Sequence, residues 1–289
     1  MTAGSAATTY ARRPTPVEHA RPGCPPIRLG RPDRDLGAPV PRPPPTGRRT
    51  TALPQPYHGP TLGGVAPEDA APFRDLTLGG FAARLGSADP VPGGGSASAV
   101  AASLGAELVT MVAALSIDRP KYAEHAATHA TARRLGSELA DRLLRLADED
   151  ASAYGGYAAA MKLPRETDVE KAARTAALHE AARAASVVPL EVVEACRDVV
   201  AAAESLAGRS NPNASSDLAV AALLGEAAAR GAAANVRINL PSVGDEALAA
   251  TLEARVDGLL AEVTMLAAET RAVVESGVTR PPLEAGVAG

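Results

Sequence analysis

The chain has 289 residues, of which 46% are hydrophobic, 21% charged and 2% aromatic. A chain of this size can bury the core of one or two globular domains. Its formal net charge is −4 and it contains no tryptophan, so the composition favours neither a nucleic acid nor an anionic membrane as a partner. The most apolar run, residues 108–117, is far shorter than the ~20 residues of a membrane span.

The two cysteines, Cys24 and Cys196, stand far apart and lack metal-ligand spacing, which argues against a zinc site and against a disulfide scaffold. The N-terminus carries proline and arginine where a signal peptide needs an apolar core. We therefore expect a cytoplasmic protein with no membrane span and no secretion signal.

Proline and charge are distributed unevenly along the chain. Residues 1–72 hold 16 of the 25 prolines and nine arginines against five acidic residues. Without apolar periodicity, such a segment buries too little surface to offset the entropy of ordering. We expect residues 1–72 to be disordered, either as a docking arm or as an inert tail. A folded domain is expected over residues 73–279, followed by a tail over residues 280–289.

Alanine- and leucine-rich stretches with helical spacing begin at Phe73, and alternating β-branched segments are almost lacking. The pattern predicts an all-α domain, an antiparallel bundle of about six helices, several of them long. Thr77 is expected to cap a short first helix. The second helix is expected to follow Ser96, and the third to run from near Tyr122 to Lys162. The apolar face predicted for the second helix comprises Leu104, Leu108, Met111, Val112 and Leu115.

The second half of the domain has clearer helix boundaries. Thr167 and Glu170 form the capping-box pattern S/T-x-x-E at the start of the fourth helix, and Pro189 predicts a kink or break within it. A fifth helix is expected from Ser215 and a sixth from near Asp245. The 14 alanines between residues 151 and 200 let helix axes approach closely. They predict a flat, tightly packed helix face, which could also serve as an interface with a second subunit.

A glycine-rich segment precedes the second helix. Gly93, Gly94 and Gly95 are followed by Ser96 in the run PVPGGGS at residues 90–96. Glycines allow close approach of a ligand, and the helix start presents free N–H groups to an anion or a polar ring. The alternative is a flexible hinge with a serine cap. The spacing matches neither a dinucleotide fingerprint nor a P-loop.

A carboxylate lies beside aromatic residues near the end of the third helix. Asp150 and Tyr154 are four residues apart and share a helix face, which Tyr157 extends. A carboxylate in such surroundings can have a raised pKa and act as general acid or base, although an ordinary exposed acid is the commoner outcome. Three histidines are expected on charged helix surface without a role: His125, His129 and His179.

Polar residues that disfavour helix interiors cluster in two further segments, NPNASSD at residues 211–217 and NVRINL at residues 235–240. Turn and capping chemistry explains part of the first segment. It does not explain Asn235 and Asn239, which lie one turn apart and could read the donors and acceptors of a planar heterocycle.

Taken together, these residues resemble the cyclodeaminase/cyclohydrolase family of folate one-carbon metabolism, which includes formiminotransferase-cyclodeaminase and methenyltetrahydrofolate cyclohydrolase. The resemblance covers roughly residues 73–277. It depends on the region of Asp150, Tyr154 and residues 162–164, and on the segments PVPGGGS (90–96), MVAALSIDRPKY (111–122), VPLEVVEAC (188–196), NPNASSD (211–217) and NVRINL (235–240).

The resemblance implies an all-helical homodimer that binds a tetrahydrofolate substrate, with or without a polyglutamate tail, in a cleft between subunits and without a metal or redox cofactor. Asp150 is implied as the catalytic proton-transfer group. The implied substrate-binding residues are Gly93, Gly94, Gly95, Ser96, Tyr154, Asn211, Asn213, Asp217, Asn235 and Asn239, with Lys121, Lys162 and Arg237 available for the glutamate tail.

Two reactions fit the resemblance. In cyclodeamination, N10 attacks the formimino carbon on N5 and ammonia leaves; in cyclohydrolysis, water adds to the methenyl carbon and N5 leaves. Both pass through a tetrahedral carbon that one acid/base group could serve. The alternative is a non-catalytic helical dimer that acts as a folate-binding or interaction module.

Overall fold

The computed structural model describes residues 71–283, and all regular elements in that range are helical. The expected all-α bundle is therefore confirmed. Helix α2 packs against α3 and α5, while α4 packs against α3, α5 and α6. Most of the segment 1–72 and of the tail 280–289 lies outside the described residues. The six α-helices are α1 (Leu78–Leu85), α2 (Gly94–Ala114), α3 (Ala126–Met161), α4 (Asp168–Leu206), α5 (Ser215–Asn239) and α6 (Glu246–Ser276).

Three of the helix starts that the sequence predicts, those of α1, α4 and α6, are closed by side-chain caps. The Thr77 side chain accepts a hydrogen bond from Gly80 N–H at 3.0 Å. Thr167 and Glu170 form both bonds of a capping box at α4, and Asp245 caps α6 by accepting from Leu248 N–H at 3.0 Å. Each cap satisfies a backbone N–H donor that the helix leaves unpaired. The starts of α1, α4 and α6 could therefore be predicted from the local sequence.

The face that α2 buries differs from the prediction. Val112 is buried and Leu108 half-buried, as predicted, but Leu104, Met111 and Leu115 are exposed. The other buried residues of α2 are small: alanines, serines, two glycines and Val109. A Cβ on Gly105 would lie 3.1 Å from the Ala221 carbonyl oxygen of α5. The backbones of α2 and α5 therefore approach too closely for leucine between them. Small residues, not leucines, define the side of α2 that faces the bundle.

Helix α4 continues through Pro189 without a break, so the expectation of a break is wrong. Proline has no N–H and cannot bond to the carbonyl oxygen four residues earlier, which belongs to Ala185. The Asn239 side chain of α5 donates its Nδ2 hydrogen to that oxygen at 2.7 Å. An amide from a neighbouring helix thus satisfies the carbonyl that the proline leaves free, which helps to explain why α4 persists.

Among the described residues, α2 is long and apolar enough to cross a membrane by length and composition alone. Its buried face packs against α3 and α5 in the bundle. A core helix passes the same test, so the finding is weak evidence for a span.

Deleting residues 1–72 is expected to leave the melting temperature and the catalytic activity unchanged, because their composition predicts no contribution to a packed core. Thermal unfolding and an activity assay of the truncated and full-length chains would check this. A fall of more than a few degrees in melting temperature would contradict it.

Candidate active site

The start of α2 meets the middle of α3 at a carboxylate. The Ser96 hydroxyl, in the first turn of α2, lies 2.9 Å from Asp150 Oδ2 and 2.9 Å from the Ala147 carbonyl oxygen, either of which can accept its proton. Helix α2 begins at Gly94 rather than after Ser96, and its N-cap residue Gly93 supplies no side-chain cap. The Asp150 carboxylate from α3 therefore lies at the positive end of the α2 dipole.

Glycine is required beside this carboxylate. A Cβ added to Gly95 would lie 2.6 Å from Asp150 Cγ, well inside van der Waals contact. The third glycine of the sequence motif thus leaves room for a specific carboxylate, and the hinge interpretation of the glycines is not needed at this position.

The pKa of Asp150 is raised above its usual value. Burial is the main cause, because it disfavours the charged form, and hydrogen bonds from the side chain and backbone of Ser96 partly oppose it. A half-buried carboxylate with a raised pKa can exchange protons with a bound substrate near neutral pH more readily than an ordinary aspartate.

Asn235 lies on the other side of the same glycines. A Cβ on Gly94 would lie 3.7 Å from Asn235 Nδ2, so Asp150 and Asn235 flank the first turn of α2. Asn235 Nδ2 donates to the Gly231 carbonyl oxygen at 2.9 Å, and Asn239 Nδ2 donates to the Asn235 carbonyl oxygen as well as to Ala185. Neither Oδ1 atom accepts a hydrogen bond from a described residue, so both remain as acceptors.

Tyr154 follows Asp150 by one turn of α3 and is exposed, so it borders the same region. Lys162 is also exposed but stands at the C-cap of α3. Lys162 lies 12 residues beyond Asp150, about 18 Å along the helix. It could therefore contact only the far end of an extended ligand bound at Asp150.

A second group of the implied residues lies at the opposite end of the subunit. Helices α2 and α5 are antiparallel, since Gly105 faces Ala221 and Gly231 faces Ser98. Asp217 and Asn235 are separated by 18 residues of α5, or about 27 Å. This distal group comprises Lys121, Asn211, Asn213 and Asp217, of which Asn211 accepts from Asn213 N–H at 3.1 Å and donates its own N–H to Ser116 Oγ at 2.9 Å.

Arg237 belongs to neither group. Its guanidinium pairs with Glu253 at 2.8 Å and Asp257 at 2.6 Å on α6. Since it lies two residues from both Asn235 and Asn239 on α5, its side chain points to a different face of the helix. It does not lie beside Asp150, so the structure gives it a place in the contact between α5 and α6.

Two of the histidines expected on the surface are buried, so that expectation is wrong for them. His125 and His129 lie side by side with ring centroids 6.1 Å apart, and His129 Nε2 lies 2.8 Å from the Arg209 carbonyl oxygen. The four-residue spacing of the two histidines indicates that they share a helix face. The charged residues next to them in the sequence suggested, wrongly, that this face is exposed.

The comparisons with known proteins agree on one family. A family model described as formiminotransferase-cyclodeaminase matches residues 77–258. The chain is 38% identical over 202 residues to a methenyltetrahydrofolate cyclohydrolase of Methylorubrum extorquens, covering 70% of this chain and 97% of that protein. It is 39% identical over 191 residues to a formimidoyltransferase-cyclodeaminase of Sus scrofa, covering 65% of this chain but only 35% of that one.

A crystal structure of formiminotetrahydrofolate cyclodeaminase from Thermotoga maritima has the same fold. It matches with a TM-score of 0.65 at 24% identity, over 70% of this chain and 98% of that one. The glycine segment, Asp150, Asn235 and the distal group all lie within the residues that the family model covers. The chain belongs to the formiminotransferase-cyclodeaminase family.

Proposed function

We propose that this chain is a folate one-carbon enzyme that hydrolyses 5,10-methenyltetrahydrofolate to 10-formyltetrahydrofolate. The observation that carries the proposal is the half-buried Asp150 carboxylate, which has a raised pKa and lies at the start of α2 beside Ser96. The cyclohydrolase that the chain covers over 97% of its length is 38% identical to it, whereas the cyclodeaminase that it covers over 98% is only 24% identical, which favours hydrolysis. The chain spans only about a third of the bifunctional formimidoyltransferase-cyclodeaminases.

In this mechanism, Asp150 accepts a proton from the water that attacks the methenyl carbon. The tetrahedral intermediate then collapses: the C=O bond of the formyl group forms as its hydroxyl group loses a proton to solvent, the bond from carbon to N5 breaks, and Asp150 returns its proton to N5. One proton is released overall, because the methenyl substrate is a cation and the formyl product is not. Only water and protons are exchanged, so the step calls for a positioned acid/base group and no redox cofactor. A group of this kind contributes ~10²–10⁴-fold to the rate.

The free amide oxygens of Asn235 and Asn239 suit the recognition of the substrate's pterin ring, whose N–H groups need acceptors. Their Nδ2 atoms are held by backbone carbonyl oxygens, so the orientation of both amides is fixed before a ligand arrives. Such preorganisation lowers the entropic cost of binding. Exposed Lys121 and Lys162 are the remaining cations proposed for a glutamate tail.

Cyclodeamination is the second candidate, because the family and the structural neighbour include formiminotetrahydrofolate cyclodeaminases. An absorbance assay separates the two reactions. Accelerated loss of the methenyl chromophore from 5,10-methenyltetrahydrofolate supports hydrolysis, while its appearance from 5-formiminotetrahydrofolate supports deamination. Absence of both activities would leave the non-catalytic binding module as the better description.

We further propose that the active form is a homodimer. Large apolar side chains remain exposed on two helices that pack together, with Leu104 and Leu223 each about half exposed, at 52% and 51%. A folded monomer rarely leaves such a surface in water. This α2/α5 apolar face comprises Leu104, Met111, Leu115, Val220 and Leu223.

Light scattering at micromolar concentration is expected to report a dimer for the natural chain and a monomer for Leu104→Glu/Leu223→Glu, because buried glutamates would lack partners. Leu78→Glu, at an exposed position of α1, is the matched control and should stay dimeric. A monomeric natural chain would contradict the dimer proposal.

A two-fold axis through the α2/α5 apolar face would also explain why the implied site residues form two groups. Ser96, Asp150, Tyr154, Asn235 and Asn239 form the Asp150 group. This group and the distal group lie toward opposite ends of the α2/α5 apolar face. An isologous antiparallel dimer sets the start of α2 in one subunit against the end of α2 in its partner. We propose that each active site combines the Asp150 group of one subunit with the distal group of the other.

Mixing two inactive variants tests this shared site. Asp150→Asn and Asp217→Asn subunits are each expected to be inactive alone, whereas refolded mixtures regain up to about a quarter of natural activity. Half of random pairs are heterodimers, and each heterodimer has one intact site out of two. If the residues act within one subunit, the mixture stays inactive.

A further inference from the structure

A cavity of about 420 Å³ lies at the end of the bundle that is distant from Asp150. It is enclosed by the 3-10 segment Pro120–His125, by the loop after α4 and by the chain that follows α6. Its size suits a small organic molecule. The polar residues that line it include Lys121, His125, Arg209, Ser215, Thr279 and Arg280.

Arg209 is a buried cation at the wall of this cavity. Only 5% of its surface is exposed, and it forms no ion pair with a described residue within 4.0 Å. Its Nε donates to the Pro281 carbonyl oxygen at 2.7 Å and its Nη1 to the Ser205 carbonyl oxygen at 3.1 Å. Both partners are neutral, and Nη2 donates to no described residue. A buried charge without a counter-charge is costly, so this position calls for an anion.

The electrostatic environment of Arg209 leads to the same conclusion. Burial lowers the pKa of its guanidinium, nearby Arg280 lowers it further, and Glu204 partly offsets both. Glu204 is itself paired with Arg280. The Glu204 carboxylate is therefore already engaged. The cavity is also lined by Glu124, but the three cations Lys121, Arg209 and Arg280 outnumber the two carboxylates Glu124 and Glu204, so the net charge is positive.

His125 provides a second and independent sign of a missing ligand. His125 is 5% exposed, and its Nδ1 atom has no hydrogen-bond partner among the described residues. Its Nε2 lies 3.5 Å from the exposed Glu124 carboxylate, which also lines the cavity. Buried polar atoms in folded proteins are almost always paired, so Nδ1 calls for a water or ligand partner that the described residues do not supply.

Lys121 adds an exposed positive charge to the lining of the cavity. It forms no ion pair with a described residue, and its Nζ lies 5.4 Å from the centre of the Tyr122 ring. A lysine and an arginine that line one cavity suit capture of an oxyanion, because the guanidinium donates in a fixed plane while the ammonium on its flexible stem can follow the ligand.

We propose that this cavity is a binding site for the carboxylate or phosphate group of a small anionic molecule, anchored by Arg209 and completed by His125 and Lys121. Because Lys121 also belongs to the distal group, this cavity adjoins the shared active site proposed above. Its anion binding is measured without folate, so it can be tested whether or not Asp150 transfers a proton. Part of its wall, residues 278–281, lies beyond the segment that the family model matches. The site therefore includes a part of this chain that the family model does not cover.

Titration calorimetry with inorganic phosphate and with glutarate tests the site on the full-length protein, with sodium chloride at equal ionic strength as the control. Saturable binding of either anion is expected, and the preferred one identifies the ligand class. Lys121→Gln should weaken it ~10–100-fold, the loss expected for one charge-assisted hydrogen bond. Arg209→Gln should abolish it, and Lys171→Gln, which changes an exposed lysine of α4 outside the cavity, should leave it unchanged.

A shortened chain that ends at Leu283 tests whether the cavity binds a separate small molecule or a carboxylate of the chain's own C-terminal segment. Glu284 is the nearest such carboxylate in sequence. If only the shortened chain binds the anions, the natural occupant is this C-terminal segment and the small-molecule assignment is wrong. Equal binding by all variants, or no saturable binding by either chain length, would also overturn the proposal. Because Lys121 is exposed, its variant stays informative even if Arg209→Gln does not fold.

Discussion

Replacing Asp150 by asparagine is expected to lower kcat by ~10²–10⁴-fold while the Kd for folate changes little. Asparagine keeps the size and shape of the side chain and can still accept a hydrogen bond from Ser96, which lies 2.9 Å from Oδ2. It cannot accept and return a proton. Steady-state kinetics and folate binding on the same preparation measure the two effects separately.

The melting temperature gives this prediction an internal control. Because burial raises the pKa of Asp150, the folded state binds its proton more tightly than the unfolded state does. Stability from this group is therefore present at low pH and is lost as pH rises through the raised pKa. Asparagine removes that loss, so the variant should melt no lower than the natural chain at neutral pH. Activity within about threefold of natural would contradict the proton-transfer role, and Asp217 would be tested next.

The same pKa shift predicts the form of the pH profile. If ionised Asp150 is the base, kcat falls as the pH drops through its raised pKa. Ser96→Ala removes a hydrogen bond that favours the carboxylate, so the acid limb should move to higher pH in that variant. Asp150→Asn should lose the limb altogether. An acid limb at the same pH in the natural chain and in Ser96→Ala would show that another group controls it.

The sequence predicted the helices well wherever a local signal marks their ends. The Thr77 cap, the Thr167 and Glu170 capping box and the Asp245 cap each involve residues within one helical turn. Such signals are independent of the rest of the fold. The predicted buried face of α2 was wrong at Leu104, Met111 and Leu115 for the converse reason. It depends on how closely α3 and α5 approach, and that distance is set by small residues on helices remote in sequence.

The sequence suggested candidate residues for the site but not their arrangement, which divides them into two groups and leaves Arg237 outside both. Asp150 and the glycines pointed to a carboxylate and a close approach, and the structure joins them at Gly95. Asn239 looked like a ligand-reading amide, yet one of its hydrogen bonds serves the carbonyl left free by Pro189, 50 residues away. Periodicity cannot reveal that pairing, because it depends on the register between α4 and α5.

Gly95→Ala is expected to reduce kcat by ~10–100-fold with little change in melting temperature, because misplacement of a catalytic group by about 1 Å costs up to this much. The added Cβ would lie 2.6 Å from Asp150 Cγ, so the carboxylate must rotate away from the start of α2. A short side chain can do so without unfolding the bundle. Alanine is also intrinsically better than glycine within a helix, which offsets part of the steric cost.

Gly155→Ala is the matched control for this substitution. Gly155 also lies within a helix, five residues beyond Asp150 on α3, and a Cβ there would meet no atom within 4 Å. It carries the same gain in helix propensity without the clash, so kcat should be unchanged and the melting temperature equal or higher. The difference in kcat between the two variants isolates the position of the Asp150 carboxylate. Equal activity would mean that the glycine serves the backbone of α2 alone, and that proton transfer does not depend on where this carboxylate lies.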